Sequence, residues 1–177
     1  NLFPPIGAGN MRRSKNMKNL FYFMNLEYND KNAHIDKLED INILNDEGQN
    51  ILHSACAGGD LDSVMYLIKK KINLSKQDNL GRTPLHYSAE HKNIEISLEL
   101  ISAGADISLC DNYGNQPLWT AVFNAEEDLR LVRVLIKSGS NRDHKNNNNK
   151  SPLDLAVDDD DDELIHILNG QQELNEK

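Results

Sequence analysis

The stretch Asp78-Asn79-Leu80-Gly81-Arg82-Thr83-Pro84-Leu85-His86-Tyr87-Ser88-Ala89 has counterparts on both sides of it in the chain. Residues 45–55 repeat its pattern with Gly48 placed 33 residues before Gly81, and residues 111–121 repeat it with Gly114 placed 33 residues after. A fourth copy, residues 151–156, begins 35 residues after its counterpart Gln116. Self-similarity at a fixed period of this length is typical of stacked repeat architectures. The chain is therefore predicted to be an array of similar units.

Each copy carries the signals that begin a helix. Thr83 and Ser151 are good N-cap residues, and they precede prolines at the first helical position, where a missing N–H costs nothing. Small and apolar residues then recur on one face, as at Leu85, Ser88 and Ala89, and small side chains let neighbouring helices approach closely. This face is predicted to be the one that stacks on the next unit.

A second helix is predicted after a short turn in each unit, because apolar residues recur there every three or four positions. These residues are Leu61, Val64, Leu67 and Ile68, then Ile94, Leu98 and Ile101, then Leu129, Val132, Leu135 and Ile136. Gly104 and Gly139 stand where the helices should end, in the positive-φ position that glycine tolerates best. A polar segment such as residues 105–114 then reads as a hairpin loop that reaches out from the stack.

The 33-residue period and the wording Thr-Pro-Leu-His at residues 83–86 resemble the ankyrin-repeat family over about residues 40–168. The resemblance implies an all-α solenoid of stacked helix-turn-helix units joined by hairpin loops, with about three clear repeats plus degenerate N- and C-terminal caps. It also implies that His53 and His86 hydrogen-bond between successive loops and that Cys56 fills a small core position.

The ends of the chain depart from the pattern. We expect a degenerate N-terminal helix pair at residues 20–26 and 35–41. The two helices of a short last unit are expected at residues 152–157 and 163–168. The expected organisation is a flexible leader or cloning remnant over residues 1–17, the repeat domain over 18–168 and a polar tail over 169–177. A signal peptide near residue 20 is disfavoured because its apolar run is short and no small-residue cleavage site follows.

Composition limits the classes of function. The 177 residues are 38% hydrophobic, and no apolar stretch is long enough to predict a membrane span. The two cysteines, Cys56 and Cys110, are too few for a disulfide scaffold and favour a reducing, cytoplasmic setting. The 19 basic and 28 acidic residues give a net charge of −9, which argues against nucleic-acid binding. Residues 1–24 hold four basic residues and no acid, so the remainder has a net charge of −13. A partner that is steered by charge should have a basic surface.

No catalytic or metal-binding constellation stands out, and neither a cofactor nor a metal is expected. His53 and Cys56 are three residues apart, as two metal ligands on a helix can be. No second pair of ligands follows at the spacing of a zinc finger. The acidic run Asp158–Asp162 lacks the alternating ligands and turn glycine of a calcium loop. It is interpreted as the inter-helix turn and first helical turn of the last unit, with a solvated patch for a basic partner as the alternative. Asn149, in the position of Gly48, is expected to take positive φ.

The residues that the repeat does not use for its core form the candidate partner-binding site, which we call the concave strip. Its fifteen members are Asp46, Glu47, Gln49, Asn79, Leu80, Arg82, Tyr87, Glu90, His91, Asn112, Tyr113, Asn115, Thr120, Phe123 and Asn124. Apolar and aromatic side chains among carboxamides and acids are a composition typical of protein interfaces. The other interpretation for Tyr87 and Phe123 is that they fold back onto neighbouring loops, and Trp119 is expected to be partly buried.

The sequence thus predicts a non-catalytic protein-binding module that is monomeric when unbound. One hypothesis, from a resemblance to small stand-alone bacterial ankyrin proteins, is an acidic immunity protein that inhibits a basic toxin or nuclease. The resemblance lies in residues 114–124, the expanded turn at 125–128 and residues 151–156. The alternatives are an adaptor or regulatory domain that binds an endogenous enzyme, and an ankyrin fragment of a larger protein.

Overall fold

A computed structural model of the chain describes residues 28–170, with side chains from residue 31 onwards. This part contains nine helices and no strand. The helices are α1 Tyr28–Asp36, α2 Ile51–Ala57, α3 Leu61–Lys69, α4 Pro84–Glu90, α5 Ile94–Ser102, α6 Pro117–Phe123, α7 Arg130–Lys137, α8 Pro152–Asp158 and α9 Asp162–Leu168. The predicted leader over residues 1–17 and most of the predicted tail over 169–177 lie outside the described residues.

The helices form two parallel rows, as a stack of helix pairs requires. The first helices α2, α4, α6 and α8 pack one against the next, and α1, α3, α5 and α7 form the second row. A continuous apolar core lies between the rows, and Leu52, Leu85 and Leu118 at equivalent positions of three first helices are fully buried. Each unit therefore buries its apolar faces against its neighbours, which confirms the predicted all-α repeat fold.

The predicted helix starts agree with the structure. Pro84, Pro117 and Pro152 are each the first residue of a helix. The Ser151 side chain accepts a hydrogen bond from the Asp154 amide at 3.1 Å and so caps α8. Gly104 and Gly139 have φ values of 94° and 92° after α5 and α7, as expected for glycines that end helices.

Four hairpin loops connect the units and share one backbone geometry. In the second loop the Asp78 amide donates to the Arg82 carbonyl at 2.9 Å, while the Asp78 Oδ1 accepts from the Leu80 and Arg82 amides. The same turn recurs at Asn45, Asp111 and Asn146, and each turn needs a residue with positive φ. Asn149 takes that position in the last hairpin with φ 58°, which confirms the expectation from the sequence.

The N-terminal helix differs from the prediction. Residues 35–41 were expected to form the second helix of the cap, but α1 spans Tyr28–Asp36 and residues 37–44 are not helical. Helix α1 lies 33 residues before α3 at both ends, so it is the second helix of a unit in exact period. The apolar residues Leu38 and Ile41 pack against the core from the loop that follows α1, which explains the misleading pattern. The predicted first helix over residues 20–26 lies outside the described residues.

The third unit contains a longer turn between its helices. Residues 124–129 separate α6 from α7, whereas three residues separate the helices of each other complete unit. Ala125 and Leu129 are buried, so both ends of the longer turn are anchored in the core. Leu129, expected inside the second helix, precedes α7 by one residue. None of the helices in residues 28–170 has the length and apolar content that crossing a bilayer requires.

Candidate functional site

The tips of the hairpins project at one edge of the stack. Glu47, Leu80 and Tyr113 occupy the same position of three successive tips and are all exposed. Leu80 is 48% exposed and Tyr113 is 62% exposed, so two successive tips present an apolar and an aromatic side chain to solvent. Asp46, Asn79 and Asn112 precede them and are also exposed. The predicted tip residues thus lie in one row and are accessible.

A ladder of asparagine side chains holds the tips together. The backbone N–H of Asn79 donates to the Glu47 carbonyl at 2.8 Å, and the side-chain Nδ2 of Asn79 donates to the Asp46 carbonyl at 2.8 Å. Asn112 makes the same pair of bonds to the Leu80 and Asn79 carbonyls, each at 2.9 Å. The side chains of Asn79 and Asn112 therefore fix the spacing of the tips, and what they present to a partner is limited to their remaining polar atoms.

Histidines at the helix starts connect each unit to the next loop. His53 Nε2 lies 3.2 Å from the Arg82 carbonyl, and His86 Nε2 lies 3.0 Å from the Asn115 carbonyl. Both rings are buried, and burial lowers the pKa of His53 to about 4 and also lowers the pKa of His86. These bonds confirm the structural role that the family resemblance implied, because both rings are neutral hydrogen-bonding elements of the scaffold.

Tyr87 is a predicted site residue that the structure buries. Only 7% of Tyr87 is exposed, and its hydroxyl donates to the Asp78 Oδ2 at 2.7 Å and accepts from the Gln49 Nε2 at 2.6 Å. The Arg82 guanidinium covers the ring at 4.2 Å from its centroid. Burial and the bond to Asp78 raise the pKa of Tyr87 to about 12. The ring and hydroxyl of Tyr87 therefore support the hairpin base, as in the other interpretation of the sequence, in which Tyr87 folds back onto neighbouring loops.

Asn115 is the second predicted site residue that is buried. It is 8% exposed, its Nδ2 donates to the Asp111 Oδ2 at 3.2 Å and its Oδ1 accepts from the Asn146 Nδ2 at 2.9 Å. Both amide atoms are used within the hairpins, so Asn115 positions the third loop against the fourth. Gln49 is half-buried, with its Nε2 bonded to Tyr87 and its backbone N–H bonded to the Asn45 Oδ1 at 2.8 Å.

Two ion pairs connect the hairpin bases to the ends of the first helices. Arg82 NH1 lies 3.2 Å from the Glu90 Oε2 in the second unit, and Lys150 Nζ lies 2.6 Å from the Asp158 Oδ2 in the fourth. The two pairs occupy equivalent positions of their units. Lys150 and Asp158 were not predicted as site residues, although extending the period of Arg82 and Glu90 into the fourth copy would have found them. The partly exposed Arg82 and the exposed Glu90 and His91 thus belong to the accessible part of the strip.

The third unit lacks this ion pair, because Asn115 stands in the position of the base and Phe123 in the position of the acid. Phe123 replaces the acid and is 63% exposed, and its ring stacks on the ring of Trp119 with centroids 5.3 Å apart and an interplanar angle of 11°. Phe123 therefore stays accessible, whereas Trp119 is partly buried as expected. Thr120 and Asn124 are partly exposed beside it, and the Asn124 Nδ2 donates to the Thr120 carbonyl at 2.8 Å.

The acidic run follows its structural interpretation except at Asp158, which is the last residue of α8. Asp161 accepts a hydrogen bond from the Leu164 amide at 2.9 Å and caps α9, while Asp162 and Glu163 lie in the first turn of that helix. Asp160 has φ 53° in the inter-helix turn. Within residues 28–170, no three His, Cys, Asp or Glu side chains come together in a way that could hold a metal ion. Cys56 is buried, both cysteines are free, and Cys110 Sγ lies 3.3 Å from the His144 Nε2.

Comparison with known proteins gives the same class as the geometry. The family model described as "Ankyrin repeats (3 copies)" matches residues 15–111, which is more than half of the chain. Human protein phosphatase 1 regulatory subunit 27 is 34% identical over 113 residues, which cover 63% of this chain and 71% of that protein.

Two larger proteins match over similar lengths. The mouse B-cell lymphoma 3 protein homolog is 29% identical over 133 residues, which cover 75% of this chain and 29% of that protein. The Xenopus tropicalis neurogenic locus notch homolog protein 1 is 33% identical over 119 residues, which cover 66% of this chain and 5% of that protein. The chain thus spans less than a third of the length of these two relatives.

The stacked helix pairs, the linked hairpins and these similarities define a repeat protein of the kind that binds other proteins and is in general not catalytic. The chain belongs to the ankyrin-repeat family. The family match ends at residue 111, and the structure extends the same architecture through two further helix pairs to Leu168.

Proposed function

We propose that the chain is a regulatory binding module whose accessible concave strip holds a protein with a basic surface. The observation that carries the proposal is the exposure of Leu80, Tyr113 and Phe123, at 48%, 62% and 63%, along the side formed by the hairpins and first helices. Such side chains are typical anchors of protein interfaces when polar groups surround them. Here Asp46, Glu47 and Glu90 supply exposed carboxylates among them.

The net charge of −9 supports a basic partner, because opposite charges speed encounter and disfavour wrong partners. In this proposal the chain acts in the cytoplasm as a monomer that contributes one face to the complex. The human relative named protein phosphatase 1 regulatory subunit 27 supports regulation of an endogenous enzyme as the leading form of this function. The chain then acts through binding alone.

A second form of the same function is an acidic inhibitor that occludes the active site of a basic toxin or nuclease, as an immunity protein does. The acidic balance favours this form, because residues 25–177 hold 15 basic and 28 acidic residues. The two forms differ in what binding does to the partner. An inhibitor abolishes the partner's activity at equimolar ratio, whereas a regulatory subunit changes its activity or substrate preference.

Affinity capture from the organism of origin tests the proposal. The bait is the full chain, compared with the double variant Leu80→Ala/Tyr113→Ala and with the matched control Met65→Ala/Leu98→Ala. The control residues are also exposed apolar side chains, at 37% and 42%, but they lie on the second helices α3 and α5. We expect a basic protein that the wild type and the control retain at moderate salt and that the first variant loses. Equal retention by all three baits contradicts the proposed surface.

A further inference from the structure

The stacked pair of Trp119 and Phe123 is the feature that the repeat itself does not explain. Trp119 replaces the histidine that connects each earlier unit to the next loop, and its buried indole Nε1 has no hydrogen-bond partner among the described residues. The connecting bond to the fourth loop is therefore lost at this position. In exchange the indole supports the Phe123 ring from one side, and the ring keeps 63% exposure. A stacked support of this kind makes Phe123 a rigid, flat surface.

The surroundings of Phe123 differ in charge from those of its equivalents. The residue at the base of the third hairpin is the uncharged Asn115, whose side chain hydrogen-bonds to Asp111 and Asn146. The third unit therefore has no ion pair at this position. The equivalent residues on the two flanking helices are Glu90 on α4 and Asp158 on α8, and both helices pack against α6. An exposed aromatic ring thus lies between two exposed carboxylates, one on each side along the row of first helices.

An arginine is the side chain that fits this arrangement. Its guanidinium stacks on aromatic faces and also pairs with carboxylates, whereas a lysine ammonium is a strongly hydrated point charge. The present partners of the flanking acids are the partly exposed Arg82 and the exposed Lys150. Ion pairs that water reaches stabilise little, so an incoming cation can replace these partners. The neighbouring unit shows the same stacking within the chain, where the Arg82 guanidinium lies 4.2 Å from the Tyr87 ring centroid.

The spacing of the units defines the partner further. Packed helices lie about 8–10 Å apart, and a polyproline II segment advances about 3.1 Å per residue with three residues per turn. Every third residue therefore lies on the same face of such a segment, and three residues span about one unit. Building on the proposed function, we infer that the surface of Glu90, Phe123 and Asp158 binds a protein segment in the polyproline II conformation with an arginine at every third residue. The central guanidinium stacks on Phe123, and the two outer arginines pair with Glu90 and Asp158.

Two synthetic peptides of identical composition test this inference. One carries three arginines separated by two Gly or Ser residues each, and the other carries the three arginines contiguously, with all else equal. We expect the spaced peptide, followed by fluorescence anisotropy of a terminal dye, to bind at least about fivefold more tightly. A spaced peptide with lysines should bind several-fold more weakly than the arginine version. Trp119 is the single tryptophan of the chain, so its emission should change on binding of the spaced peptide.

Variants separate the aromatic surface from general charge attraction. Phe123→Ala should reduce the affinity for the spaced peptide to that for the contiguous one, and Glu90→Gln/Asp158→Asn should weaken it as well. Leu98→Ala, which changes an exposed residue on the other row of helices, should leave it unchanged. The inference is overturned if the spaced peptide shows no saturable binding, if both peptides or the lysine peptide bind equally well, or if Phe123→Ala keeps wild-type affinity.

The peptide experiment and the capture experiment can give different results, so the arginine site can be overturned while the proposed function stands. A captured partner whose retention depends on Leu80 and Tyr113 but is unchanged in Phe123→Ala supports binding through the hairpin tips and overturns the arginine site. The loss of both the captured partner and the spaced peptide in Phe123→Ala supports the two together.

Discussion

The Nε2 atom of His86 lies 3.0 Å from the carbonyl oxygen of Asn115, 29 residues further along the chain. This bond joins the start of α4 to the base of the third hairpin, and it leaves the imidazole fully buried. His53 makes the equivalent contact one unit earlier, at 3.2 Å from the Arg82 carbonyl. The stiffness of the hairpin row, and so the shape that it offers to a partner, depends on these buried bonds.

The variant His86→Ala should lose about 2–4 kcal/mol of unfolding free energy, because it removes a buried hydrogen bond and leaves a cavity. Urea denaturation followed by circular dichroism measures the change. The control is His91→Ala at the exposed end of α4, for which the expected change is within about 0.5 kcal/mol. Equal stabilities of the two variants would show that the connecting bond contributes nothing.

Acid should destabilise the fold through the buried histidines. Because burial lowers the folded-state pKa of His53 to about 4, below its usual 6.5, the unfolded chain takes up the proton first. The folded state therefore keeps its full stability above the pKa of His53 in the unfolded chain. It loses stability as the pH falls from about 6.5 towards 4. His53 alone accounts for roughly 2 kcal/mol between pH 7.5 and pH 5, and His86 acts in the same direction.

Urea denaturation at pH 7.5, 6 and 5 measures this dependence. The variant His53→Gln lacks the titrating group and should show a smaller loss between pH 7.5 and pH 5 than the wild type. His91→Gln serves as the exposed control and should follow the wild-type curve. A stability that is unchanged between pH 7.5 and pH 5 would contradict a neutral, buried imidazole at residue 53.

Replacement of Gly81 should cost more than replacement of Gly104. Both have positive φ, at 76° and 94°, so alanine strains the backbone at each site by about 1–2 kcal/mol. A Cβ atom at Gly81 would also lie 2.8 Å from the Asn112 backbone nitrogen, whereas a Cβ atom at Gly104 would meet nothing within 4 Å. We expect Gly81→Ala to be more destabilising than Gly104→Ala by about 1–3 kcal/mol in urea denaturation. Equal losses would mean that the hairpins separate easily.

Much of the architecture follows from local chemistry that the sequence displays. The caps at Thr83 and Ser151, the prolines after them and the glycines at 104 and 139 each fix a helix boundary within a few residues. The 33-residue period places the first three units, and the longer turn of the third unit shifts the fourth to a spacing of 35 residues. The boundary of α1 was wrong because the apolar residues after Ile35 resemble a helix face but pack from a loop. Applying the period to α3 would have given the correct ends.

The candidate site was less predictable, because its exposure depends on contacts between units. Tyr87 is buried by Gln49 from the preceding hairpin and by Asp78 and Arg82 from its own, and nothing in the helical spacing indicates this. Asn115 is buried through Asn146, which lies 31 residues later. Phe123 is exposed like its equivalents Glu90 and Asp158, but its unit lacks both the acid and the base of their ion pairs.

Site-specific photocrosslinking tests the central claim most directly. A photoreactive phenylalanine analogue is placed at Tyr113 or Phe123 on the concave strip, or at Met65 or Leu98 on the second helices, and each protein is irradiated in extract from the organism of origin. All four positions are exposed, so reactivity with solvent does not distinguish them. We expect one basic protein to be attached at Tyr113 and Phe123 and to be absent from the other two positions. Attachment of that protein only at Met65 and Leu98 would contradict it.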